Sequence, residues 1–152
     1  DKELIELLKQ TTNSVHGTGI IIDDVGFYGY GGARTPFNTP FEPSDAEILK
    51  GLTAGYAAVA SAKTKIQITH MPPAGTKLDV IFSGAHVGST AIREFILKNK
   101  PTVSISAHIH EARGVDELNG TKLLNTGRFP EGYCGFVHVS SGKVEVEVVC
   151  LI

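Results

Sequence analysis

Two helix-like segments each stand between strand-like runs, and this alternation does most to restrict the folds open to the chain. Pro43 and the capping box Ser44-Asp45-Ala46-Glu47 begin one segment, whose Ile48, Leu49, Leu52, Tyr56 and Val59 share a face to about Ala62. The other is capped near Ser89, turns Ile92, Phe95 and Ile96 inward, and stops at Pro101. Gly19 to Ile22, Phe27 to Tyr30, Lys65 to Thr69 and a run from Val103 read as strands. Thr121 to Asn125, Cys134 to Val139 and Lys143 to Leu151 follow, with Ser140-Ser141-Gly142 turning the last hairpin. Helices alternate with strands first and an antiparallel meander closes the chain. The expected class is α/β, with a mixed sheet in one domain over residues 1–152.

Several local features refine this reading. Leu4, Ile5, Leu7 and Leu8 give a leading helix an apolar stripe, and Asp23-Asp24 marks a turn between the first two strands. Gly51 and Gly55 each weaken their helix by roughly 1 kcal/mol relative to alanine, which predicts close packing against a neighbour. A chain of 152 residues can bury roughly 70% of its unfolded surface. Its net charge of -2 gives no general attraction to nucleic acid or anionic membrane. No run approaches ~18 apolar residues. Cys134 and Cys150 are too far apart and too few for a disulfide framework, so they are expected to be buried free thiols in a reducing cytoplasm.

The chemistry concentrates in T-V-S-I-S-A-H-I-H-E-A-R-G, Thr102 to Gly114. With the period of an extended strand, Val103, Ile105, Ala107 and Ile109 share one face, and Ser104, Ser106, His108 and His110 the other. Two imidazoles side by side repel once protonated, so the pattern predicts that something holds them neutral. His70 ends another strand, and Pro72-Pro73 stiffens the turn behind it. Ligands collect at the carboxyl ends of strands in open α/β sheets. Three imidazoles arriving there would form a metal pocket suited to zinc, iron, manganese or nickel. A single histidine at a strand end is more often a hydrogen-bonded bystander, and it is the set of three that points to metal.

T-H-M-P-P at Thr69 to Pro73, Gly88-Ser89, A-H-I-H at Ala107 to His110 and L-N-T-G-R at Leu124 to Arg128 form an ordered series. It resembles the second half of a calcineurin-like metallophosphoesterase, phosphodiesterase-related branch, from about Gly26 to Val139. Two positions depart from the family. It usually writes G-H-x-H where this chain has Ala107, and N-P-G where it has Asn125-Thr126-Gly127. The resemblance implies a β-sandwich flanked by helices and two divalent ions, with His70 and His108 on one ion and His110 on the other. It also implies hydrolysis of phosphoesters, the ions ~3.5–4 Å apart lowering the pKa of a bridging water. The family's earlier blocks, D-x-H, G-D-x-x-D and G-N-H-D or G-N-H-E, are absent; Asp1 would be the last letter of the third. The chain thus reads as a C-terminal portion whose N-terminal half is its missing partner, catalytically inactive alone.

Other residues keep two readings. His86 could contact substrate phosphate near a helix N-terminus or be a loop histidine, and Arg128 could clamp phosphate or pair with a neighbouring acid. Glu111 and Arg113 could orient the imidazoles, and Arg34 and Asn38 could line a cleft. Asn125 and Gly127 are first of all turn residues, and His16 and His138 read as structural. Gly29-Tyr30-Gly31-Gly32 lacks the helix and lysine of a phosphate loop. The expected substrate is a small phosphoester such as a cyclic nucleotide, nucleic acid being disfavoured by charge. The apolar stretch Val144 to Ile152 could pair edge to edge with another copy. Two alternatives stay open: one zinc on His70, His108 and His110 with an open water position, or a non-catalytic binding or structural module.

Overall fold

The computed structural model describes residues 2–11, 13–35, 42–140 and 142–152. The expectations for Asp1 and Asn38 therefore lie outside the described residues. Six strands form one sheet in the order β1 (Gly19–Ile22), β2 (Val25–Tyr30), β3 (Thr64–Thr69), β4 (Val103–Ser106), β6 (Thr121–Asn125), β5 (Gly114–Leu118). β2, β3, β4 and β6 run parallel, and β1 and β5 close the two edges antiparallel. A second sheet holds only β7 (Tyr133–Ser140) and β8 (Lys143–Cys150). The α/β class and mixed sheet follow the sequence expectation. The closing antiparallel strands come as two hairpins, one in each sheet.

Helices α2 (Asp45–Ala58) and α3 (Thr90–Asn99) are the crossovers of β2–β3 and β3–β4. Crossovers of one hand stepping in one direction put both helices on one face. Ile48, Leu52, Ile92, Phe95 and Ile96 meet Tyr28 and Leu123 there. The opposite face packs Ile66 and Val103 against Val144, with Phe27, Ile105, Val137 and Val146 around them. The Ser44–Glu47 capping box is present at the start of α2, where replacing such a cap by alanine costs about 1 kcal/mol. Helix α1 (Lys2–Thr11) forms as expected, although Leu7 and Leu8 of its stripe are exposed.

The serine face of β4 is not a solvent face. Ser104 and Ser106 are buried, because α2 and α3 cover that side of the sheet. Gln67 joins them in the interior, accepting from the Tyr28 hydroxyl at 3.1 Å and donating to Ser104 Oγ at 3.1 Å. Burial, and then neighbouring Tyr56, push the Tyr28 hydroxyl well above its ordinary pKa, so it stays a donor. Every group in this ladder across three strands is answered, as a buried polar network requires.

Gly51 and Gly55 do mark a close approach. A Cβ at Gly55 would stand 2.6 Å from the Thr18 carbonyl oxygen, and one at Gly51 would strike the Tyr30 ring. Gly51→Ala is expected to destabilise despite its better helix propensity. The gain is about 1 kcal/mol, while overpacking costs about 1–3 kcal/mol and displaces Tyr30. Urea unfolding of the variant checks this; a clear gain in stability would contradict the packing.

Strand β5 falls where the sequence reading places none. Asn119 (φ 52°) and Gly120 (φ 86°) turn it into β6, the Asn-Gly pair that favours two-residue hairpins. That dipeptide was the available signal. Asp23 and Asp24 turn β1 into β2 in the same left-handed way. Both cysteines are free, but neither is buried as expected: Cys134 is half-buried, and Cys150 is exposed at the very end of β8 although it keeps the parity of the inward Val144 and Val146. No helix among the described residues is long and apolar enough to cross a membrane.

Candidate functional site

The four parallel strands end level, and the residues that follow them line one cleft. Tyr30-Gly31 after β2, Thr69-His70 after β3, Ser106-Ala107 after β4 and Thr126 after β6 border a space of about 430 Å³. Ile68 and Ile105 give it an apolar floor, and His16 lies on its wall. This is the edge at which α/β sheets bind ligands, and the volume is that of a small-molecule site.

Of the three predicted histidines only His70 lines this cleft; His108 meets it from outside the lining, and His110 does not line the cleft either. His108 Nδ1 lies 3.1 Å from His70 Nε2, with ring centroids 4.9 Å apart. Burial, then the charges of His108 and His110, hold the His70 imidazole below its usual pKa; burial, then His110, does the same to His108. Although His70 keeps an open rim, protein around the rest of its ring disfavours the cation. Both rings are thereby biased toward the neutral form, in which an N–H of one can donate to the free nitrogen of the other.

The convergence does not arise from strand periodicity. β4 ends at Ser106, and His110 opens a short 3₁₀ turn, His110–Ala112. His108 itself adopts φ 63°, and the Ile109 N–H donates to the Ala107 carbonyl at 2.7 Å. A three-residue turn with a positive φ at its centre is the rarer, strained γ-turn form. The expected strand through His110 is corrected: Ile109 dips into the core at 6% exposure, and the left-handed residue swings one ring toward His70. Ala107 is not among the positive-φ residues, so its Cβ meets no backbone penalty there. His110 is near enough for its charge to act on both rings. Even so, among the described residues no group of three or more His, Cys, Asp or Glu is arranged to hold an ion.

His86 and Arg128 lie among none of the residues lining this cleft. His86 Nδ1 is 2.7 Å from Oδ1 of Asp79, a fully buried carboxylate. Asp79 also accepts from the backbone N–H groups of Gly75, Thr76 and Gly88 at 2.9–3.0 Å. An acceptor so used fixes the proton on His86 Nδ1. Arg128 pairs with Glu131 at 3.3 Å. Arg113 lies 3.9 Å over the Tyr133 ring and donates to its hydroxyl at 3.1 Å, rather than meeting Glu111. Arg34 pairs with Asp45 at 3.5 Å. His138 faces Glu145 across the second sheet.

Two residues near the site escape the sequence reading. His16, taken as structural, stacks on Tyr30 with centroids 4.2 Å apart and accepts the Gly31 N–H on Nδ1 at 3.0 Å. Asn125 is the turn residue the sequence predicts, its Oδ1 accepting from the Gly127 N–H at 3.1 Å, but it is also completely buried and donates to the Ile109 carbonyl at 2.8 Å, which the sequence does not signal. Neither long-range contact has a local sequence signature, because each reaches a segment 15 or 16 residues away.

No family model matches the chain. It is 32% identical over 137 residues to the uncharacterized protein MJ1162 of Methanocaldococcus jannaschii, a match that takes in 87% of this chain and 61% of that one. One crystal structure superposes with a TM-score of 0.73 at 20% identity, over 96% of this chain and 58% of its own. TT1561 of Thermus thermophilus superposes with a TM-score of 0.62 at 18% identity, over 95% and 62%. The chain thus spans about three fifths of the proteins it matches. At these identities the structural likenesses speak to the fold alone.

Proposed function

We propose that this chain contributes the histidine side of a dinuclear metallophosphoesterase centre and takes no part in catalysis without further donors. One observation carries the reading, the 3.1 Å approach of His70 Nε2 and His108 Nδ1. Two imidazole nitrogens on one ion, each at about 2.0–2.1 Å, stand about 2.9–3.4 Å apart. The pair fits that separation already, and burial biases both rings toward the neutral state that ligates, the hydrogen between the facing nitrogens being the one that would leave on binding. His110, next to them, is the donor toward the other ion. Imidazole donors suit manganese, iron, zinc or nickel. Bound ions would supply positive charge to phosphate oxygens and an activated water.

The chain's own residues keep the rings in place. Ala107 N–H donates to the His70 carbonyl at 3.0 Å, tying the two histidine turns together. Pro72 and the buried Met71 fix the chain behind His70, the Pro72 carbonyl accepting from Ser89 N–H at 2.9 Å. Two converged nitrogens favour a shared centre over a self-sufficient three-histidine zinc site. The apolar cleft floor and net charge of -2 suit a small phosphodiester such as a cyclic nucleotide better than a long polyanion. The free thiols accord with a reducing cytoplasm, and the free edge of β8 leaves room for a second copy.

Metal analysis after dialysis, with turnover of bis-(p-nitrophenyl) phosphate in manganese, tests the proposal. This chain is expected to keep at most one ion and show no turnover. A longer form carrying D-x-H and G-D-x-x-D blocks is expected to keep two ions and turn over. Full turnover by this chain alone would overturn the incomplete-centre reading. One tightly held ion would favour the mononuclear zinc site, and no ion in either form would favour the binding module.

A further inference from the structure

We propose that Asn125 is a positioning residue, whose carboxamide holds the His108 turn closed and so sets the His108 ring against His70. The inference concerns the chain without metal and stands whether or not the centre binds one.

His108 is held in a conformation it does not prefer. At φ 63° its Cβ crowds the following carbonyl oxygen, a conformation that non-glycine residues rarely adopt. Such a residue persists only where its surroundings over-determine it. The constraints around it are few and specific. Ala107 is tethered to His70 through the N–H to carbonyl bond at 3.0 Å, and Ile109 N–H closes the turn on Ala107 at 2.7 Å. The carbonyl of Ile109, which sets the plane of the next peptide, accepts from Asn125 Nδ2 at 2.8 Å as well as from Ala112 N–H at 3.1 Å, so the carboxamide ties the far side of the turn to β6.

Asn125 is built for that contact. It ends β6, paired with Ser106 of β4 on one side and Gly114 of β5 on the other, so its Cα is fixed by two ladders. Its side chain is 0% exposed and every group is used. Nδ2 donates to the Ile109 carbonyl at 2.8 Å and the Leu78 carbonyl at 3.3 Å, while Oδ1 accepts from Gly127 N–H at 3.1 Å. Rotating the amide by half a turn would set oxygen against two carbonyls and nitrogen against an N–H, so its orientation is forced. One side chain thereby joins the loop at Leu78, the histidine turn and the turn at Gly127.

Asn125→Asp separates shape from donation. It keeps the size and the acceptor for Gly127, but replaces the donor facing two carbonyls with a carboxylate oxygen. The readout is the nuclear Overhauser cross-peak between the His70 and His108 rings in the metal-free chain, beside the melting temperature. Asn125→Asp is expected to erase the cross-peak and move the His108 ring signals. Thr121→Val, a comparably buried polar loss at the far end of the same strand, is expected to lower the melting temperature and leave the cross-peak in place. A cross-peak of unchanged intensity in Asn125→Asp would overturn the proposal, as would its loss in both variants alike. Should Asn125→Asp not fold, Asn125→Ala removes the same donors without adding charge and is read by the same cross-peak.

Discussion

His70→Ala or His108→Ala is expected to weaken divalent-ion retention by the proposed centre, in a longer form carrying its further donors, more than about 100-fold. That exceeds the 10–100-fold typical of groups that only orient a ligand. The two variants should resemble each other, because each leaves a single nitrogen where the structure brings two to 3.1 Å. His138→Ala, on the exposed β7–β8 hairpin, should change nothing and serves as the control. Calorimetric titration with manganese and zinc measures all three. A His70→Ala protein that binds metal as tightly as its parent would remove the ring pair from the site.

The second large effect is on stability. Asp79→Ala is expected to cost about 3–5 kcal/mol, the range for stripping one partner from a buried charged network. The variant leaves three backbone N–H groups and His86 Nδ1 without their acceptor. Burial alone would raise the Asp79 carboxyl. The bonds from His86, Thr76, Gly88 and Gly75 outweigh it and hold the group below its ordinary value of 3.8. A depressed carboxyl contributes stability above its unfolded pKa and loses it as pH falls through the folded one. Urea unfolding at neutral pH should therefore show the full gap between Asp79→Asn and the parent. The gap should narrow as pH falls below 3.8. A gap independent of pH would mean that the carboxylate's charge is not what stabilises the loop.

How far the sequence could be read differs from element to element. The capping box at Ser44, the proline after α3 and the alternation of β3 act within a few residues, and the structure follows each of them. Gly51 and Gly55 announced a close neighbour without naming it, since Tyr30 and Thr18 are remote in sequence. The histidines were legible as a set, but the way they meet was not. Period-two alternation carried past Ser106 would put His108 and His110 together, whereas a left-handed turn puts His108 with His70. Backbone strain of that kind is over-determined by tertiary contacts, here from Asn125, and leaves no local pattern. Asp79 is a mixed case: Thr76-x-x-Asp79 is a capping box legible in the sequence, whereas the bonds from His86 and Gly88 come from beyond it and leave no such mark.

The Tyr28–Gln67–Ser104 ladder has an effect at the solvent-facing end of the sheet. Its two hydrogen bonds fit only when Gln67 stands beside both Tyr28 and Ser104. Sliding either strand by a single position would strand a wet group in dry surroundings. His70 then lies three positions beyond its rung and His108 four beyond its own, and the tight turn takes up the odd residue. Two rings at the mouth of the cleft are thus brought level by amide and hydroxyl contacts that water never reaches.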